Sequence, residues 1–192
     1  MGMKRIVIFA SGSGTNAQNI IEYFNKTVEK KVTLVLSNKQ GAGVLERAKR
    51  LGVPFRVFDR NDLYESDLVL DWLEAAQADL IVLAGFLWLV PSNIIKRYKH
   101  RIVNIHPALL PKYGGKGMFG MHVHRAVLEN NERQSGMTIH YVNEEYDAGD
   151  IIFQTMCAVE PDESPESLAR KVHELEYHHY PRVIDELLDG LK

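Results

Sequence analysis

The run RIVIFA at residues 5–10 carries apolar, mostly β-branched side chains with no polar alternation and stops at a Ser-Gly pair. A half-exposed strand alternates apolar with polar residues, so an unbroken run of this length is a strand covered on both faces. Such a strand needs helices above and below it, and the sequence supplies them. Ala17, Ile20, Ile21, Phe24 and Val28 recur at helical spacing, with Thr15 or Asn16 as cap. The pattern repeats: strand 32–37, helix 43–52, strand 54–58, helix 63–76, apolar strand 79–86, a short helix opened by Pro91-Ser92, and strand 101–106. A helix near 122–130 and two alternating strands at 136–142 and 150–159 follow. A long last helix starts at Ser164-Pro165, with Leu168, Val172, Leu175, Val183 and Leu187 as its stripe and a kink expected at Pro181. This order predicts an α/β, single-domain, doubly wound and mostly parallel sheet with ligands at the carboxyl ends of its strands.

At 192 residues one core is the expectation. A net charge of −2 gives no general attraction for polyanions, so nucleic acid is not an expected partner. The lone Cys157, in an apolar alternating run, excludes an internal disulfide framework and cysteine-rich zinc sites, and points to a reducing, cytoplasmic setting. The first apolar run ends in a glycine turn too soon for a signal peptide, and no segment reads as a membrane span.

The turn SGSGTNA at 11–17 has the form G-x-G-x-x-A between a strand and a helix. Glycines let the backbone approach a ligand, and the N–H groups and dipole of the helix start favour an anion, so this turn reads as a phosphate site. Ser37, Asn38 and Lys39 stand where an acidic residue would read an NAD ribose, which leaves NADP open through Lys39. A tight turn with no ligand is the bland alternative.

The stretch NIHPALLPKYGGKGMFGMHVH at 104–124 holds His106, His122 and His124, which invite a metal reading. His122 and His124 open a helix and diverge by roughly 200° at 3.6 residues per turn, so they do not converge on one ion. Asn104 and His106 are two apart on a strand and share a face, with Pro107 ending the strand behind them. An amide that donates to a developing oxyanion beside an imidazole that moves a proton suits chemistry at a carbonyl. In NEEYDAGDII (143–152), Asp147 and Asp150 flank a turn on Gly149, and Asp147 is the better carboxylate partner for His106, raising its pKa from about 6.5.

Together SGSGTN, LSNK, VLAGF, NIHPALLPKYGG and YDAGDII, in this order over nearly the whole chain, resemble the phosphoribosylglycinamide formyltransferases, folate-dependent enzymes of purine synthesis. The resemblance implies one Rossmann-like formyltransferase domain over residues 1–192. Its substrates would be 10-formyltetrahydrofolate as co-substrate and glycinamide ribonucleotide, with no metal and no membrane partner, in a monomer or homodimer. It implies that Asn104 and His106 stabilise and protonate the tetrahedral adduct, with Asp147 raising the His106 pKa and His140 nearby. Gly14, Thr15 and Asn16 would hold the ribonucleotide phosphate, with His173 and Glu176 reaching the same substrate. Folate would lie against Leu87, Trp88, Leu89, Val90 and Asn104 and against the turn Asn143, Glu144, Glu145, Tyr146 and Asp147.

This sequence departs from the family pattern in three places. The usual arginine before the third helix is missing, with Arg60 and Asn61 nearest; Trp88 stands where an arginine is common; and the loop after Lys112 is longer than in many relatives. Related readings are methionyl-tRNA formyltransferase, which adds a carboxyl-terminal domain, and formyltetrahydrofolate hydrolase, which adds an amino-terminal one. The chain is expected to carry neither addition. Beyond them stand an NADP-binding oxidoreductase, a zinc hydrolase and a non-catalytic ribonucleotide-binding module.

Overall fold

The computed structural model describes residues 2–191. Seven strands form one sheet in the order β3-β2-β1-β4-β5-β6-β7: β1 (Lys4–Phe9), β2 (Lys30–Ser37), β3 (Phe55–Val57), β4 (Leu80–Leu83), β5 (Ile102–His106), β6 (Gln134–Tyr141) and β7 (Ile151–Ala158). The first five are parallel, and β6 and β7 are antiparallel to their neighbours. The mostly parallel sheet expected from the apolar runs is therefore present.

Burial on both faces of β1 follows from the pleat. Ile6, Ile8 and Ala10 pack into one core with α1 (Thr15–Phe24), α2 (Gly43–Arg50) and α7 (Pro165–Gly190). Val7 and Phe9 point the other way, into a second core with α3 (Arg60–Tyr64), α4 (Leu68–Ala75) and α5 (Ser92–Arg97). The remaining helix, α6 (Met121–Glu129), packs beside α7.

Three expectations need correction. Val28 lies beyond the end of α1 and is 88% exposed, so the apolar stripe stops at Phe24. The helix expected over 63–76 is two helices, because the Ser66 hydroxyl donates to the Asp62 carbonyl and accepts the Leu68 N–H, ending one helix and starting the next. Asp59 and Asp62 form the capping box that starts α3 three residues early.

The Ser164 cap is present, as a box with Ser167, and Pro165 follows it. The helix runs on through Pro181 without interruption. Proline there leaves the Tyr177 carbonyl without its helical partner, and Asn19 of α1 donates its side-chain N–H to that oxygen at 2.9 Å. Replacing Asn19 by leucine should cost about 1 kcal/mol, seen as a lower midpoint in urea with unchanged slope; an unchanged midpoint would show that water satisfies the carbonyl equally well. Further in, the buried Tyr180 hydroxyl is 2.9 Å from the Leu83 carbonyl and 3.3 Å from that of Val103, bridging β4, β5 and α7.

Candidate active site

Strands β1 to β3 step outward one way and β4 to β5 the other, so the order reverses between β1 and β4. The loops leaving these strands part there and open a crevice at the carboxyl edge. A cavity of about 700 Å³ fills it, within the range of small-molecule sites.

One end is built on the glycine turn. Gly14 has φ 78°, and a β-carbon there would come within 2.5 Å of Val44, so only glycine fits. It is Gly14, not Thr15 or Asn16, that occupies the cap position of α1, and no side chain caps that helix. The first-turn N–H groups are thereby left for a ligand beside the cavity-lining Thr15 hydroxyl. Asn16 is turned toward α7: its amide nitrogen donates to Glu176 Oε2 at 2.8 Å, and that oxygen is also 2.7 Å from His173 Nδ1. Glu176 is 4% exposed, and its hydrogen bond raises the His173 pKa. Since the carboxylate takes the amide nitrogen, the atom Asn16 keeps unpartnered is its carbonyl oxygen, an acceptor.

The other end is built on β5. Asn104 and His106 share a face as expected, and antiparallel pairing sets His140 opposite Asn104. Asn104 donates to His140 Nε2 at 3.1 Å and to Asp147 Oδ1 at 3.3 Å. His140 Nδ1 lies 2.8 Å from its neighbour's carbonyl, so Nδ1 carries the proton and Nε2 accepts. Asp147 Oδ2 accepts the Gly115 N–H at 2.9 Å and faces His106 Nδ1 at 3.4 Å, while His106 Nε2 donates to the Tyr113 carbonyl at 2.7 Å.

Burial is the largest influence on His106 and leaves its pKa below the ordinary value; the Asp147 charge and the Tyr113 carbonyl pull the other way. The expected rise is therefore only the Asp147 contribution, and the net direction is down. Burial also acts to raise the Asp147 pKa, but the adjacent His140 and His106 rings and the Gly115 N–H outweigh it and hold the carboxyl below its ordinary value. Asp147 stays ionised, and a proton reaching His106 Nδ1 meets a carboxylate.

The turn that presents Asp147 places this residue at φ 53°. Its neighbours divide: Glu145, Tyr146 and Asp147 line the cavity, whereas Asn143 and Glu144 do not. Asn143 instead accepts the Glu145 N–H and shapes the turn. Leu87 to Val90 all line the cavity, with Val90 also in the second core. The Arg60 guanidinium lies 4.9 Å over the Trp88 ring, a cation–π contact on this wall. Lys39 and the loop from Gly115 to Gly120 complete the wall.

One inward-facing histidine lies outside the residues expected at the site. His122 is exposed and His124 is 5% exposed, as their divergence requires, and His124 lines the cavity. Its position three and four residues before Val127 and Leu128 was the available signal. Among the described residues no group of three histidine, cysteine, aspartate or glutamate side chains is placed to hold a metal ion, and no helix is long and apolar enough to cross a membrane.

A family profile described as "Formyl transferase" matches residues 4–184. The chain belongs to the formyl transferase family. Among curated relatives of this family member, the chloroplastic phosphoribosylglycinamide formyltransferase of Arabidopsis thaliana is 42% identical over 188 residues, 94% of this chain and 64% of that protein. The phosphoribosylglycinamide formyltransferase of Haemophilus influenzae is 37% identical, covering 98% of this chain and 89% of that one. Among solved structures, phosphoribosylglycinamide formyltransferase from Bacillus halodurans matches with a TM-score of 0.87 at 37% identity, over 98% of this chain and 97% of that one. This formyl transferase thus spans 64% of the length of its Arabidopsis relative.

Proposed function

We propose that the protein transfers the formyl group of 10-formyltetrahydrofolate to the amine of glycinamide ribonucleotide, giving formylglycinamide ribonucleotide and tetrahydrofolate in purine biosynthesis, and that residues 1–192 act as one formyltransferase domain. The observation that carries this reading is a cavity with the uncapped start of α1 at one end and the Asn104, His106, His140 and Asp147 cluster at the other. The names of the relatives agree with it.

In this reading the phosphate rests on the α1 start, so the amine points toward β5. The amine nitrogen attacks the formyl carbon, and the carbonyl electron pair moves onto oxygen. An Asn104 N–H, turning from its bond to His140 or Asp147 to the new acceptor, stabilises that oxyanion, a contact worth about 3 kcal/mol in comparable sites. His106, neutral because burial lowers its pKa, takes the excess proton from the attacking nitrogen, and Asp147 stabilises the resulting imidazolium. The carbon–nitrogen bond to the folate then breaks, and the proton goes to the departing nitrogen. Folate packs on the wall from Leu87 to Val90 and on Tyr146.

The test is to mix protein, both substrates and a chelator. Formyl transfer to the ribonucleotide is expected; release of formate with water as sole acceptor would assign a hydrolase, and no reaction would leave only binding. Because His106 must start neutral, kcat/KM should be flat above about pH 6.5 and fall below it as the imidazole protonates; an acid limb lying above neutrality would assign the proton transfer elsewhere. Thr15→Ala should raise KM for the ribonucleotide by about tenfold and leave that for folate within about twofold. Equal effects on both substrates would count against a phosphate at the α1 start.

A further inference from the structure

His124 is the buried titratable group that the mechanism above leaves unused. It sits in the first turn of α6, lines the cavity and is 5% exposed, yet its Nδ1 has no hydrogen-bond partner. Burial lowers its pKa, with the negative charge of Glu176 opposing that shift, so the ring is neutral and offers one donor and one acceptor. A buried, unpaired imidazole nitrogen is costly, and a chain that keeps one beside a cavity gains when a ligand pairs it.

Two further features mark the same wall as polar recognition surface. Asn16 holds an unpartnered, buried carbonyl oxygen there, beside the Glu176 carboxylate. The start of α6 has no side-chain cap, and its first positions, Gly120 and Met121, also line the cavity.

We infer that His124 is a substrate-binding residue: its imidazole hydrogen-bonds an uncharged oxygen of the ribonucleotide, a sugar hydroxyl or the carboxamide, between the phosphate end and the reacting amine. The inference rests on the function proposed above and adds a specificity contact to it. Phosphate is a poor occupant of this position, because Glu176 and the Asn16 carbonyl oxygen both repel an anion. A neutral group that can donate to those acceptors and exchange a hydrogen bond with the imidazole fits them.

Calorimetry with glycinamide ribonucleotide and, separately, inorganic phosphate tests this on wild type, His124→Phe and His124→Asn. Phenylalanine keeps the ring and removes both nitrogens, while asparagine keeps a polar atom near the Nδ1 position. The ribonucleotide is expected to bind His124→Phe about tenfold more weakly, with phosphate affinity unchanged and His124→Asn intermediate. Ribonucleotide affinity within about twofold of wild type in His124→Phe would overturn the inference, as would equal losses in both variants. In wild type, which folds regardless, the ¹⁵N resonance of His124 Nδ1 should shift on adding ribonucleotide. An unmoved resonance in protein that binds the ribonucleotide would overturn this inference alone, whereas failure of wild type to bind it would overturn the proposed function as well.

Discussion

Asp147→Asn is expected to bind ribonucleotide within about twofold of wild type and to lose about 10²- to 10⁴-fold in kcat, the range attached to positioned acid–base groups. Asparagine is the right replacement because residue 147 sits at φ 53°, a left-handed conformation that asparagine tolerates. What changes is the carboxylate. Its two oxygens each accept an N–H, from Asn104 and from Gly115. An amide has one oxygen, so one of those donors meets an NH₂ instead. The His106 imidazolium also loses its counter-charge, so its pKa falls further and the acid limb of kcat/KM should move to lower pH. Steady-state kinetics across pH would check both; turnover within tenfold of wild type would show that another group carries the proton.

The second large effect concerns space. A β-carbon on Gly149 would lie 1.8 Å from the Tyr141 carbonyl oxygen and 2.8 Å from its carbon, contacts that only a backbone shift relieves. The Asp150 carbonyl accepts the Tyr141 N–H at 2.9 Å, so the turn carrying Asp147 is pinned where the methyl must enter. Gly149→Ala should therefore cost about 1 to 3 kcal/mol. At roughly 2 to 4 °C per kcal/mol for a chain of this size, the fall in Tm is measurable. Turnover should fall with it, because Asp147 moves away from His106. Gly41→Ala, where a β-carbon meets nothing within 4 Å, is the matched control and should melt like wild type. If both variants melt and turn over alike, the turn adapts more easily than its contacts imply.

The fold was legible where burial dictates pattern. Strands covered on both faces read as unbroken apolar runs, as Ile6 to Phe9 of β1 and Leu80 to Leu83 of β4 do. The break between α3 and α4 was not, because a serine hydroxyl replacing one helical hydrogen bond leaves the apolar spacing on either side intact. Asn104 and His106 were legible because two-residue spacing on a strand fixes a shared face. The partners of Asn16 were not: its amide meets Glu176, 160 residues away in sequence, and no local pattern encodes that pairing. Asn143 and Glu144, named with the same turn, do not line the cavity. Adjacency in a turn does not carry a shared direction, so only the residues from Glu145 to Asp147 of that turn reach the cavity.

The bridge made by Tyr180 sets how the two ends of the cavity can move. The helix that carries His173 and Glu176 is tied by one phenol to carbonyls of β4 and β5, one residue before Asn104. Helix and strand are thereby held to one another, so in the function proposed above this bridge sets the gap between the two ends of the cavity. On that proposal, sliding α7 to admit a substrate of another length would break both hydrogen bonds, which disfavours ligands whose anion and nucleophile are differently spaced.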